Sequence, residues 1–292
     1  MHWQKIALIG VGLLGGSLGL AVRERKLAVK VDGHVRRTAS IAECERLGVV
    51  DHATREVGRA VENADLVVLC TPLGQMRELA REFLPCLKPG AIVTDVGSVK
   101  GIVVRELEPL VAAAGGHFVG SHPMAGGEKV GVAAARADLF HNAICLVTPT
   151  PRSDRGAVLQ VEEFWRALGG RPVRISPAQH DDLVSRSSHL PHVVAAELAN
   201  YVLSPAHPKE QALVCATGFR DTTRIASGSP EMWRDIALAN REHLSRVLGV
   251  FIEDLVEFRL ALDNGDHKAI EEFFENAKAR RDQWTGAVDA AG

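Results

Sequence analysis

The chain has 292 residues, enough for two domains with separate cores, and its 34 basic and 36 acidic side chains leave a net charge of −2. That balance offers no electrostatic footprint for nucleic acid. The five cysteines (Cys44, Cys70, Cys86, Cys145, Cys215) are scattered without a C-x-x-C pair, which fits reduced thiols in a cytoplasmic protein better than a disulfide framework.

The first apolar stretch, 6–22, imitates the hydrophobic region of a signal peptide. Glycines interrupt it, Lys5 alone precedes it as a positive charge, and it is shorter than the roughly 20 residues of a membrane span. It reads as a buried strand, a turn and a helix, and no membrane association is expected. Candidate strands fall at 5–9, 29–34, 66–70, 91–95, 117–120, 143–148 and 171–175. Segments 76–84 and 101–114 between them have helix composition, and the runs LVVLC and AIVTD have the unbroken apolar character of strands covered on both faces. This alternation predicts a doubly wound, mostly parallel α/β sheet of the Rossmann type.

The pattern changes at Ser176-Pro177, a helix N-cap followed by proline, with Gln179 at the third helical position. From there the chain reads as helical almost to its end. Ser229-Pro230 opens a long helix carrying Leu238, Leu244, Leu248, Phe251, Ile252 and Leu255, and Asp263-Asn264-Gly265-Asp266 turns into a last helix with Ile270, Phe273, Phe274 and Trp284. The expected division is therefore a dinucleotide-binding domain over 1–176 and an all-helical domain over 177–292.

Gly10-Val11-Gly12-Leu13-Leu14-Gly15 follows the first strand and opens a helix, which is the G-x-G-x-x-G fingerprint in its proper context. Gly10 permits the tight turn, Gly12 lets the backbone approach a pyrophosphate, and Gly15 lets helix and strand pack closely. The second strand of NAD enzymes ends in an acid for the ribose 2′-hydroxyl. Val35 holds that position here, followed by Arg36 and Arg37, while Asp32 nearby leaves the register open. An uncharged position with two arginines favours NADP over NAD, since guanidinium groups grip a 2′-phosphate.

Three loops should converge at the carboxyl edge of the sheet: Thr71-Pro72, Ser98 after Asp95, and Ser121-His122-Pro123. His122, set in the glycine-rich stretch GSHPMAGGEK, is the candidate base for an alcohol oxidation. Ser98 reads either as its orienting partner or as a cap for a helix beginning near Val99. The helical half adds His180-Asp181, the run Ser188-His189-Leu190-Pro191-His192, and Arg220 and Arg224, whose planar guanidinium groups suit a carboxylate. No acidic partners repeat at metal-ligand spacing, so no metal site is expected.

GVGLLGGS (10–17), DVGSVK (95–100), GSHPMAGGEK (120–129), SHLPH (188–192), GFRDTTRIA (218–226) and MWRD (232–235) occur in one order, and together the chain resembles the prephenate/arogenate dehydrogenases of tyrosine biosynthesis. The resemblance implies oxidative decarboxylation of prephenate or arogenate. It casts His122 as the catalytic histidine on the ring hydroxyl, Ser98 as its positioning partner, and Arg224 as the clamp on a substrate carboxylate. His192 then lies near the substrate side chain, a position that leans toward prephenate, with His189 of the same motif, His180, Asp221 and Trp233 around the pocket. It further implies a homodimer formed through the helical domain. Two positions depart from the family: Gly127 stands where many members carry Thr or Ser, and Val35 replaces the ribose-binding acid. The chain's end at 292 leaves no appended regulatory or mutase domain to expect. Two rivals compete: a β-hydroxyacid-type dehydrogenase using Lys100 or Lys129 as base, and a nucleotide-sensing protein that binds NADP without turnover.

Overall fold

Eight strands form one sheet in the computed structural model, which describes residues 2–127 and 129–291, with side chains described as far as 286. They are β1 (Trp3–Ile9), β2 (Ala28–His34), β3 (His52–Thr54), β4 (Leu66–Leu69), β5 (Ile92–Asp95), β6 (His117–Pro123), β7 (Ile144–Thr148) and β8 (Arg171–Arg174). The spatial order is β3-β2-β1-β4-β5-β6-β7-β8, and every neighbouring pair is parallel except β6 with β7. Seven of these strands match the alternation of apolar runs. The eighth, β3, is three residues long and carries no apolar run to announce it.

Helices α1 (Leu13–Glu24), α2 (Ala39–Arg46), α3 (Val57–Val61), α4 (Leu73–Phe83), α5 (Gly101–Ala113) and α6 (Arg155–Ala167) connect the strands. Two apolar clusters result, one holding Ile6, Leu18, Phe140 and Trp165, the other Ile9, Leu69, Met76 and Phe83. They are what a sheet clothed on both faces produces. The order reverses between β1 and β4, and the turns after these strands flank the resulting crevice.

Past β8 the expected cap is present. The Ser176 hydroxyl accepts from Gln179 N at 3.2 Å and the Gln179 side chain returns a bond to Ser176 N at 3.0 Å, opening α7 (Pro177–Val184). A π-helical turn, Ser185–His189, joins α7 to α8 (Leu190–Val202), and α9 (Thr217–Thr223) leads into a 3₁₀ turn, Arg224–Ser227. The long helix read from Ser229-Pro230 is in fact two: α10 (Pro230–Ala239) stops at Asn240, and α11 (Arg241–Asp263) follows. The break has a polar cause. The Asn240 side chain is buried and spends its amide on other segments, donating to the Asp181 carbonyl at 2.9 Å.

The chain divides into two compact units, 2–240 and 241–291 of the described residues, so the spatial division follows Asn240, whereas the sheet gives way to helices at Ser176. The second unit pairs α11 with α12 (His267–Ala291) around the turn read at 263–266, where Gly265 takes a φ of +61°. Among the described residues no helix is long and apolar enough to cross a membrane.

Candidate functional site

The register puts Ile9, His34, Leu69 and Asp95 in one row at the carboxyl edge of the parallel sheet. Gly10 follows with a φ of +97°, and a Cβ there would sit 2.8 Å from Thr71 Cγ2. A methyl on Gly15 would overlap the Gly10 carbonyl oxygen, so helix α1 and strand β1 touch backbone to backbone. Around Gly12 nothing lies within 4 Å, which leaves open space at the N-terminus of α1. This is the division of labour that phosphate binding at a helix N-terminus requires. Leu13 and Leu14 pack against the core and anchor that turn.

A cleft of about 590 Å³ opens beside the turn, lined by Gly10, Gly12, His34, Val35, Arg36, Arg37, Ser40, Thr71 and Pro72. Among the described residues, Thr71 Oγ1 and His34 Nδ1 are buried polar atoms on its wall that form no hydrogen bond of good geometry, although the Arg55 backbone lies near His34. Three glutamates, Glu78, Glu82 and Glu231, also line it. Val35 reaches the cleft with a side chain only 4% exposed, so it presents an apolar wall and no ligand for a hydroxyl. Asp32 is settled as well: it lies within β2 and forms ion pairs with Lys5 at 2.7 Å and Lys30 at 3.0 Å. Arg36 and Arg37 are exposed and, among the described residues, engage no carboxylate.

On the other side of the crevice β6 outruns its parallel neighbour. Pairing with β5 ends at Val119, and residues Gly120 to Pro123 continue against β7 alone. His122 is thereby carried beyond the sheet edge yet remains 9% exposed. Its Nδ1 lies 2.9 Å from Nε2 of His180, whose Nδ1 lies 2.8 Å from Asp181 Oδ1. Asp181 Oδ1 also accepts from Lys100 N at 2.7 Å, and Oδ2 accepts from Gly101 N at 2.8 Å. Asp181 therefore caps α5, the role that Ser98 was expected to fill if it were a cap.

Burial lowers the His122 imidazole well below the usual histidine range, and His180, Lys100 and His189 push it the same way. Burial likewise lowers His180 against the opposing bond to Asp181, and takes His189 down to about 4. Burial pushes the Asp181 carboxyl up, but bonds from His180 and from the Lys100 and Gly101 amides outweigh it and hold the group below the usual carboxylate range. The site thus combines neutral imidazoles with an ionised carboxylate.

Beneath His122 lies a wholly buried ion pair between Lys100 Nζ and Asp95 Oδ2. Lys100 Nζ also donates to the Ser121 carbonyl at 2.9 Å, and Asp95 Oδ1 accepts from Ser121 N at 3.2 Å, so the pair clamps the strand ends that hold the histidine. Of the two candidate lysine bases, Lys100 is fully buried and already engaged, and burial lowers its ammonium. Lys129 is exposed.

The remaining candidates separate into two groups. His189 is buried and its Nδ1 lies 3.1 Å from Asn240 Nδ2, while the Trp233 ring packs edge-on at 6.2 Å from it and stacks on His192 at 3.7 Å. Arg224 begins a turn that packs against α8, the helix of His192. Gly127 lies beside Leu13, with room at 3.6 Å for a side chain. Ser98 is half-buried; its backbone is near enough to His189 to favour the protonated ring, but no hydrogen bond joins Ser98 to His122 among the described residues. The partner of His122 is His180. The Asp221 side chain is 76% exposed and lies 4.0 Å from that of Arg220, which is 75% exposed. Residue order alone did not single out Asn240 for the site, and it offered Asp181 only as the neighbour of His180 and Asp95 only as the end of a strand. Among the described residues no cluster of three or more His, Cys, Asp and Glu has a metal-binding arrangement.

A family model described as the nucleotide-binding domain of prephenate dehydrogenase matches residues 18–174, and one described as its dimerization domain matches 176–276. The chain is 35% identical over 95% of its length to a prephenate dehydrogenase of Bacillus subtilis, covering 75% of that protein. It is equally identical to a cyclohexadienyl dehydrogenase of Zymomonas mobilis, covering 95% of both chains. A crystal structure of prephenate dehydrogenase from A. aeolicus in complex with hydroxyphenyl propionate and NAD+ superposes with a TM-score of 0.89 at 32% identity, covering 96% of this chain and 98% of that one.

The glycine turn makes two opposite predictions. Gly12→Ala should melt within about 1 °C of the parent, because nothing lies near the added methyl, yet weaken NADH or NADPH binding about tenfold or more, read by fluorescence titration. Gly15→Ala should lower the melting temperature itself, because its methyl meets the Gly10 carbonyl.

Proposed function

We propose, for a chain that belongs to the prephenate dehydrogenase family, that it oxidises and decarboxylates a cyclohexadienol carboxylate, prephenate before arogenate, with a nicotinamide dinucleotide as oxidant. The observation that carries the reading is a neutral, buried His122 at the sheet edge, across the crevice from an intact glycine turn. The turn 10–15 and the cleft wall at His34, Thr71 and Pro72 would hold the dinucleotide, whose nicotinamide takes up the hydride when bound.

His122 Nε2 accepts the proton of the ring hydroxyl as the C–H bond at the same carbon breaks. The carbonyl formed there withdraws the electron pair of the ring C–CO2 bond, CO2 departs, and the ring becomes aromatic. Arg224 holds a substrate carboxylate and sets the orientation. Ser98, Gly127, His189, Trp233 and the supporting His180 shape the pocket. Asp221, being largely exposed, is left outside this set. The two-domain division near residue 176 is supported by the adjoining family models. A homodimer is supported by the dimerization-domain match and by the exposed apolar Ile252, Leu260, Phe273 and Phe274 of the second unit. Sedimentation should give about twice the chain mass of 31.4 kDa; a monomer at micromolar concentration would contradict it.

One observation favours arogenate as a second reading. His192 Nδ1 lies 2.9 Å from the Ser188 carbonyl, which accepts only, so Nδ1 is the protonated nitrogen. Burial lowers the His192 imidazole, and its neutral form offers Nε2 as an acceptor, suited to an ammonium more than to a keto oxygen.

His122→Asn should lower kcat by about 10²–10⁴-fold, the usual worth of a positioned base, and a value within threefold of the parent would remove His122 from that role. The acid limb carries a sign. The base works deprotonated and its site lowers its affinity for protons, so kcat/KM should hold steady down to the usual histidine range near 6.5 and fall only below it. Initial rates on prephenate and arogenate, each with NAD and NADP, decide substrate and cofactor together. NADP is favoured by Val35 and the uncommitted Arg36 and Arg37, and converting both arginines to alanine should raise KM for NADP about tenfold while moving that for NAD less than threefold.

A further inference from the structure

We propose that Asp181 sets the proton positions on two active-site histidines, leaving Nε2 of His122 bare as the base and Nε2 of His189 protonated as a donor. The inference rests on the reading of His122 as the base and adds the residue that keeps it one.

The first branch runs through the carboxylate. An ionised carboxylate only accepts, so the 2.8 Å contact requires the proton of His180 to sit on Nδ1. Neutral His180 then has a lone pair on Nε2 and must accept across the 2.9 Å contact with His122. The donor is Nδ1–H of His122, and the other nitrogen of that neutral ring, Nε2, keeps its lone pair. Burial keeps both rings neutral, and the bonds from His180 and from the Lys100 and Gly101 amides keep the carboxyl ionised against its own burial, as the alternation needs.

The second branch runs through the backbone of the same residue. A carbonyl oxygen also only accepts, so Asn240 must turn its NH2 toward the Asp181 carbonyl, at 2.9 Å. That nitrogen is also 3.1 Å from His189 Nδ1, which therefore accepts the second amide proton. The ring proton of His189 is left on Nε2. This atom is buried, in a residue 1% exposed, and forms no hydrogen bond of good geometry among the described residues, although the Ser98 backbone lies near enough to favour a ring proton. A buried donor so weakly satisfied fits an oxygen of a bound ligand. One residue thus gives two neighbouring imidazoles opposite polarities: one that takes a proton and one that offers a hydrogen bond. Asp181 is a positioning residue, since it acts on substrate only through His180 and Asn240.

Long-range ¹⁵N–¹H correlation spectra of the full chain, assigned with His122→Asn and His189→Asn, read each tautomer directly. The parent should show His122 protonated on Nδ1 and His189 on Nε2; His122 protonated on Nε2 in the parent overturns the proposal with no variant needed. In Asp181→Ala no side chain accepts from His180 Nδ1, so His180 loses its fixed tautomer and the His122 proton is no longer held on Nδ1. Its kcat should fall about 10²–10⁴-fold, with the NADPH dissociation constant within threefold of the parent. The His189 tautomer should not change, because the carbonyl remains. A folded Asp181→Ala whose His122 stays protonated on Nδ1 alone overturns the mechanism as well. Failure of the underlying reading is separable: an active His122→Asn removes the base, whatever the spectra show.

Discussion

The carboxylate of Asp181 joins segments that would otherwise have no reason to meet in register. It accepts from the His180 ring and from two backbone amides at the start of α5, while its own carbonyl takes the Asn240 amide. The first pair of bonds ties the region after the sheet to a loop at the sheet's carboxyl edge. The last ties both to the break between α10 and α11. Such a hub is costly to bury unless donors meet both of its oxygens. Here two donors reach Oδ1 and one reaches Oδ2, and they keep the group ionised in a site where burial drives the His122 and His180 imidazoles neutral.

The buried pair of Lys100 and Asp95 plays a related but mechanically different part. Two opposite charges in a fully buried position gain little net stability over an apolar pair of the same volume. What they provide is direction. Both charges reach across to Ser121, one through its carbonyl and one through its amide, so the strand that carries His122 is held on each side of the adjacent peptide. The Ser121 hydroxyl adds bonds to the Asp95 carbonyl at 2.7 Å and to Thr94 at 2.9 Å. The base proposed at His122 would need such a mounting, and the cation beneath it also discourages protonation of the imidazole.

Features governed by local chemistry were legible in the residues. The glycine turn needs one strand, one helix and three positions, and all are contiguous. The Ser176 cap is likewise local, as is the alternation that gave seven strands. Asn240 shows the limit. Helical spacing runs through it without interruption, and only a carbonyl 59 positions earlier in the chain explains the break. Asp32 was ambiguous for the same reason, until the register placed Lys5 and Lys30 against it. Ser98 and Asp221 point the other way. Their motifs named them correctly as residue types, but motif order carries no exposure and no hydrogen-bond partner, and those decide what a side chain can do.

The cleft proposed for the cofactor and the residues proposed for the chemistry are physically separate. The cleft wall at the end of β2, made by Val35 and the residues after it, shares no hydrogen bond with the chain from His122 to Asp181 among the described residues. Charge at the β2 end can therefore change without altering the protonation of the base. The reverse also holds, because the proton positions on His122 and His189 depend on Asp181 and Asn240, which do not line the cleft beside the glycine turn. In the proposed function a third place, His192 with its stacked ring and Gly127 with an open position next to Leu13, meets the substrate side chain.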